Sequence, residues 1–107
     1  MILSRIELTP ISDNREKILE LLQFSVHRLE ATPGCLRSEL YEAFGGQGSI
    51  LYIERWRSWD ELYRYVQSTN YLSVLNAMDL ARDPPEVSFY EVSEMQSMDL
   101  IVSLRSS

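Results

Sequence analysis

The chain has 107 residues, 45% of them hydrophobic and 24% charged, which is the size and composition of one globular domain and excludes a disordered segment, a fibre or a coiled coil. Ten Lys and Arg stand against 16 Asp and Glu, a net charge of −6; Glu54, Asp60 and Glu61 are interleaved with Arg55, Arg57 and Arg64, so no basic cluster offers itself to nucleic acid or to an anionic membrane. No apolar run approaches the about 20 residues of a membrane span, the N-terminus lacks the charged-then-apolar pattern of a signal peptide, and the single cysteine, Cys35, has no intrachain disulfide partner, so a cytoplasmic setting is expected.

In chain order, Ile2, Ser4, Ile6 and Leu8 alternate with Leu3, Arg5 and Glu7, a strand of period two. Thr9-Pro10 ends it, because Pro10 has no amide for a ladder. Asp13 followed by Glu16 reads as a reciprocal helix cap. Ile18, Leu21, Leu22, Ser25, Val26 and Leu29 then recur at helical spacing, which predicts an amphipathic helix over residues 14–30, stopped by Thr32-Pro33-Gly34.

Residues 35–43 and 49–57 both alternate, and Gly45-Gly46-Gln47-Gly48 lies between them, so a hairpin is predicted. If that run is the turn, residue 41 opposes 52, 39 opposes 54 and 37 opposes 56. One face then carries Arg37, Glu39, Tyr41, Tyr52, Glu54 and Trp56. The other carries Leu36, Leu40, Leu51 and Ile53 with Ser38 and Arg55.

Ser58 with Glu61 is a second capping box, which starts a helix at Trp59 with Leu62, Tyr65 and Val66 on its apolar side. Ser68-Thr69-Asn70 interrupts it, and Tyr71, Leu72, Leu75 and Met78 predict a further short helical piece before Asp83-Pro84-Pro85. Residues 87–92 make a last strand. The apolar tail is expected as an extra edge strand or as a segment lying on a partner chain. Residues 1–95 thus form the domain and 96–107 the tail.

The order β-α-β-β-α-β is that of an α+β, ferredoxin-like fold: a four-stranded antiparallel sheet with the helices on one face. The other face is left uncovered. Packing two such sheets face to face would shield it, so a symmetric homodimer is the expected state.

The aromatic and carboxylate face of the hairpin is either a pocket lining for a small molecule or a satisfied polar network inside an interface. His27 is the only histidine and lies off the apolar stripe of its helix, so a histidine-built metal site is not expected. Cys35 opens a strand, with neither a helix N-terminus nor a histidine to activate it, and reads as a small buried hydrophobe. The glycine run joins two strands rather than a strand and a helix, so it is no phosphate-binding loop.

Pro33-Gly34-Cys35-Leu36 with Glu39-Leu40-Tyr41, and Leu51-Tyr52-Ile53-Glu54-Arg55-Trp56 with Ser58 and Leu62, resemble the antibiotic biosynthesis monooxygenase family. The resemblance covers most of residues 1–95. It implies a dimeric α/β barrel with a cavity between helices and sheet in each subunit. Members include oxygenases of quinols or aromatic polyketides that use O₂ without metal or flavin, as well as haem-degrading enzymes. In the haem-degrading branch an Asn, a Trp and a His occupy positions that here hold Ser4, Tyr65 and Leu75, so the haem reading is largely lost. Quinol-oxidising relatives carry a His near Tyr65.

The resemblance therefore implies an oxygenase of a hydroxylated aromatic or quinol, with no cofactor. Glu54, Tyr65 and Tyr71 are its catalytic candidates, and Trp56, Tyr52, Ser4 and Asn76 its substrate-binding ones. The alternative is a non-catalytic dimer of the same fold that binds a small ligand or serves as a regulatory module.

Overall fold

The computed structural model describes residues 1–44 and 48–106. It contains β1 (Ile2–Leu8), a 3₁₀ turn (Ser12–Asn14), α1 (Arg15–Leu29), β2 (Cys35–Glu42), β3 (Ile50–Trp56), α2 (Trp59–Gln67), a second 3₁₀ turn (Thr69–Tyr71), α3 (Leu72–Asp79), β4 (Glu86–Glu91) and α4 (Met98–Ser106). The strands form one antiparallel sheet in the order β2-β3-β1-β4, so the fold is the expected ferredoxin-like α+β arrangement.

Period-two alternation sorts the sheet into two faces. Ile2, Ser4, Ile6 and Leu8 of β1 and Ile50, Tyr52, Glu54 and Trp56 of β3 are all buried beneath the helices. Ile18, Leu22, Ser25 and Leu29 of α1 are buried against them, on the i, i+4, i+7, i+11 stripe that the periodicity predicted. Val74 and Ala77 of α3 complete the core. Asn14 Nδ2 donates to Leu80 O at 3.2 Å, satisfying a carbonyl left over at the end of α3.

The opposite face is open. Leu3, Arg5, Glu7, Leu51 and Ile53 lie there half-buried, and Tyr41 and Tyr90 are exposed. Glu39 is the hub of its charges: it accepts from the Tyr41 hydroxyl and pairs with Arg37 at 3.2 Å and Arg55 at 3.6 Å.

Three expectations are corrected. The hairpin register is offset by one residue: Tyr41 opposes Leu51, Leu40 opposes Tyr52 and Ser38 opposes Glu54. Ala43 N donates to Ser49 O at 2.9 Å, so the loop starts one residue earlier than the glycine run suggests. Because the side-chain period is two, that single step carries Arg37, Glu39 and Tyr41 to the open face, away from Tyr52, Glu54 and Trp56. A bulge between Cys35 and Arg37 restores Cys35 to the side of Trp56 and leaves Leu36 exposed. Of the turn residues, Gly45, Gly46 and Gln47 lie outside the described residues.

The reciprocal cap at Asp13 is not formed either. Residues 12–14 make a 3₁₀ turn, and α1 starts at Arg15 without a side-chain cap. Finally, the tail does not add an edge strand; it forms α4, with none of its residues buried.

The cap at Ser58 is present: Ser58 Oγ accepts from Glu61 N at 3.3 Å. The Glu61 carboxylate receives Arg57 and the Ser58 hydroxyl. It also lies across Gly34, which has φ +89°, and a Cβ at Gly34 would sit 2.4 Å from the Glu61 carboxyl carbon. Gly34→Ala should therefore destabilise the fold by about 2–3 kcal/mol, through the left-handed backbone and the displaced Glu61 together. Urea unfolding of the two proteins measures this, and an unchanged midpoint would contradict it.

Candidate functional site

The buried side of β3 places Tyr52, Glu54 and Trp56 in a row under the helices, each fully buried. Trp56 Nε1 donates to Glu54 Oε1 at 3.0 Å. The other carboxylate oxygen, Glu54 Oε2, is buried without a hydrogen-bond partner. Ser4 stands directly across from Glu54 in the β1–β3 ladder, and its Oγ is likewise buried and unpartnered. Buried polar atoms normally find partners, so two orphans on neighbouring strands single out this place in the core.

Burial pushes the Glu54 carboxyl up from 4.5 to about 7, even though the Trp56 indole and, after it, the Tyr52 hydroxyl pull the other way. A carboxyl with that pKa exchanges a proton readily at neutral pH, which is what a general base or acid requires.

Above this row the tyrosines form a second layer. Tyr52 Oη donates to Ser25 Oγ at 3.0 Å, and Ser25 Oγ is 2.8 Å from Tyr65 Oη. The rings of Trp56 and Tyr65 lie 5.1 Å apart, and Tyr71 meets Tyr65 edge-on at 5.2 Å. Burial, reinforced by the Glu54 charge, raises all three phenols, Tyr71 to about 12. Near neutral pH all three phenols stay protonated and can donate hydrogen bonds.

Six of the seven site candidates thus come together: Ser4, Tyr52, Glu54, Trp56, Tyr65 and Tyr71. Asn76 does not; it lies on the exposed side of α3. The sequence reading overlooked Ser25 as a site residue. Its signal was available: a serine within an otherwise aliphatic helical stripe carries a hydroxyl that must find a buried partner. Cys35 is half-buried at the edge of the cluster, and burial together with the Glu54 charge raises its thiol to about 11, so it is no nucleophile. His27 is exposed on α1.

A cavity of about 210 Å³ opens where the α1–β2 turn meets α2. Its lining includes Thr32, Pro33, Arg64, Tyr65, Ser68 and Asn70. Tyr65 is the residue common to this cavity and to the buried cluster. Among the described residues no group of three or more His, Cys, Asp or Glu is placed to hold a metal ion, and no helix is long and apolar enough to cross a membrane.

The comparisons with known proteins agree with this architecture. No curated protein matches the chain, but solved structures do. Rv0793 from Mycobacterium tuberculosis superimposes with a TM-score of 0.80 at 25% identity, over 90% of this chain and 98% of that one. PA3566 from Pseudomonas aeruginosa gives 0.72 at 18% identity, over 86% and 94%. SnoaB, a cofactor-independent oxygenase from Streptomyces nogalater, gives 0.75 at 14% identity, over 88% and 94%. The family model for antibiotic biosynthesis monooxygenases matches residues 1–76, a span that runs from β1 through the Glu54 cluster into α3. The chain belongs to the antibiotic biosynthesis monooxygenase family.

Proposed function

We propose that the protein is a monooxygenase that acts on a hydroxylated aromatic or quinol with no cofactor, and that Glu54 handles the proton. The observation that carries this reading is Glu54 Oε2, a buried carboxylate oxygen without a partner, on the strand paired at that position with Ser4, whose Oγ is unpartnered too. Its pKa of about 7 suits proton exchange with a phenol at neutral pH. The likeness to SnoaB, named a cofactor-independent oxygenase, adds fold-level support.

The steps balance without an added reductant. Glu54 takes the phenolic proton, and Ser4 donates to the resulting oxyanion. The electron-rich anion passes one electron to O₂, and the radical pair recombines at a ring carbon to form a C–O bond. Glu54 returns its proton to the peroxide. Loss of the ring C–H proton then breaks the O–O bond, releasing water and leaving the new carbonyl of a quinone. One O₂ supplies one oxygen to product and one to water. Trp56, Tyr52 and Tyr65 would hold the ring and exclude bulk solvent.

Glu54, Tyr52 and Trp56 are closed off from solvent, so entry requires movement. The helix α2 buries Leu62 and Tyr65 in the core and packs Trp59, partly buried, against it, and we take its outward swing at the Tyr65 cavity to be the route. The open sheet face, with Leu3, Leu51, Ile53 and Tyr90, would be covered by a second copy of the chain, which light scattering across dilutions would register as a dimer.

Oxygen uptake with a panel of quinols and hydroxylated aromatics in metal-free buffer tests the function. Substrate-stimulated uptake without accumulation of hydrogen peroxide is expected. No stimulation by any member would favour the second reading, a non-catalytic ligand-binding or regulatory dimer, for which the closed and largely hydrogen-bonded Ser25–Tyr52–Tyr65 layer speaks.

A further inference from the structure

The cavity above Tyr65 has a chemical bias that the buried cluster lacks. Most of its polar groups are already committed. The Thr32 hydroxyl donates to Arg28 O at 3.0 Å, and the Ser68 hydroxyl donates to Tyr65 O at 2.6 Å. Glu61, which also borders the cavity, has its carboxylate occupied by Arg57 and by the Ser58 hydroxyl. That bonding holds the Glu61 carboxyl below its usual range, with Arg57 as the main cause and Arg64 a minor one.

Arg64 itself makes no ion pair among the described residues, and the Asn70 carboxamide makes no side-chain hydrogen bond there. The groups with donors to spare at this cavity are thus a guanidinium and an amide. Arg64 is a rigid fork of donors that matches a carboxylate, and its charge is not cancelled by a bonded partner. Its position is also notable in a chain of net charge −6, whose overall field repels anions. At about 210 Å³ the cavity is smaller than the about 300–1,000 Å³ of sites that enclose drug-sized ligands. That is room for a charged substituent and part of a ring, not for a whole substrate.

We infer that this cavity receives the anionic substituent of a hydroxylated aromatic, with Arg64 as its ion partner and Asn70 as a second donor. The inference rests on the reading that the substrate ring lies beside Tyr65, and it narrows the substrate class to hydroxylated aromatic acids. Arg64 is then the residue that sets specificity, while Glu54 remains the residue that moves the proton.

Binding tests this apart from catalysis. Isothermal titration under nitrogen compares 2,5-dihydroxybenzoate with its methyl ester. The wild-type protein should prefer the acid to the ester by about tenfold or more, as expected of a charge-assisted bond at a partly exposed site. Arg64→Gln should erase the preference for the acid while leaving affinity for the ester unchanged. Arg64 is exposed on α2, and an unaltered circular dichroism spectrum of the variant confirms that the helix persists. Equal binding of acid and ester by the wild type, a loss of both ligands in Arg64→Gln, or no binding of either probe would each overturn the inference. Oxygen uptake indifferent to the acid group and to Arg64 would also overturn it while leaving the oxygenase reading intact. Selective binding of the acid without oxygen uptake would do the reverse.

Discussion

Glu54→Gln should lower turnover of a hydroxylated aromatic by about 10²–10⁴-fold, the range set by a positioned general base. The amide keeps the shape and can still accept from the Trp56 indole, so the loss would reflect the missing proton acceptor. In the wild type the rate should rise with pH through about 7, as Glu54 gives up its proton. The variant should lack that limb. A variant with full turnover, or one that keeps the same pH profile, would remove Glu54 from the mechanism.

The same substitution has a stability signature of opposite sense. The Glu54 carboxyl titrates at 4.5 in an exposed chain and at about 7 in the fold, so the native state binds this proton more tightly than the unfolded state does. Its contribution is fully present below pH 4.5 and is lost as pH rises through 7, on the order of 3 kcal/mol. Glu54→Gln has no such dependence. The variant should therefore gain on the wild type between pH 5 and pH 8 in urea unfolding, and a difference that stays constant across that interval would show that the carboxyl is not held up by burial. The protein would thus carry a carboxylate that weakens its fold at neutral pH, a pattern expected where a site is selected for chemistry rather than stability.

Trp56→Ala should destabilise the fold by about 3–5 kcal/mol, a large share of the about 5–15 kcal/mol that holds a domain together. The indole is fully buried, lies tilted against the Tyr65 ring with centroids 5.1 Å apart and supplies a hydrogen bond to Glu54. Its removal would leave a cavity and orphan the second carboxylate oxygen as well. Trp56→Phe separates the two effects. It keeps most of the volume but withdraws the N–H, so the Glu54 carboxyl should rise further and the pH profile of turnover should move to higher pH. A Phe variant with an unmoved profile would assign Trp56 to packing alone.

The site was legible where one chain segment carried it. Tyr52, Glu54 and Trp56 share a face because alternation within a single strand guarantees it, whatever the neighbouring strand does. Arg37, Glu39 and Tyr41 were assigned to that face by an assumed turn, and the loop that closes at Ala43 and Ser49 moved them to the other one. Their position depends on pairing between strands, which a four-residue glycine-rich run does not fix. The Asp13 cap failed for a related reason: capping residues compete with 3₁₀ turns, and residues 12–14 adopt the turn. The tail was apolar enough to be structured, but a short apolar run does not distinguish strand from helix, and α4 (Met98–Ser106) is the outcome.

Local sequence by itself determined the element order, the buried faces of β1, α1 and β3, the cap at Ser58 and the presence of an acidic group among aromatics, because each of these follows from residue spacing along one segment. Tertiary structure alone decided that Ser4 stands across from Glu54, that Ser25 joins Tyr52 to Tyr65, and that Thr32 and Pro33 meet Arg64 and Asn70 around one cavity. Those juxtapositions join residues separated by up to half the chain. The orphaned oxygens of Ser4 and Glu54 follow from the same assembly, since a buried atom lacks a partner only once every neighbour has been placed.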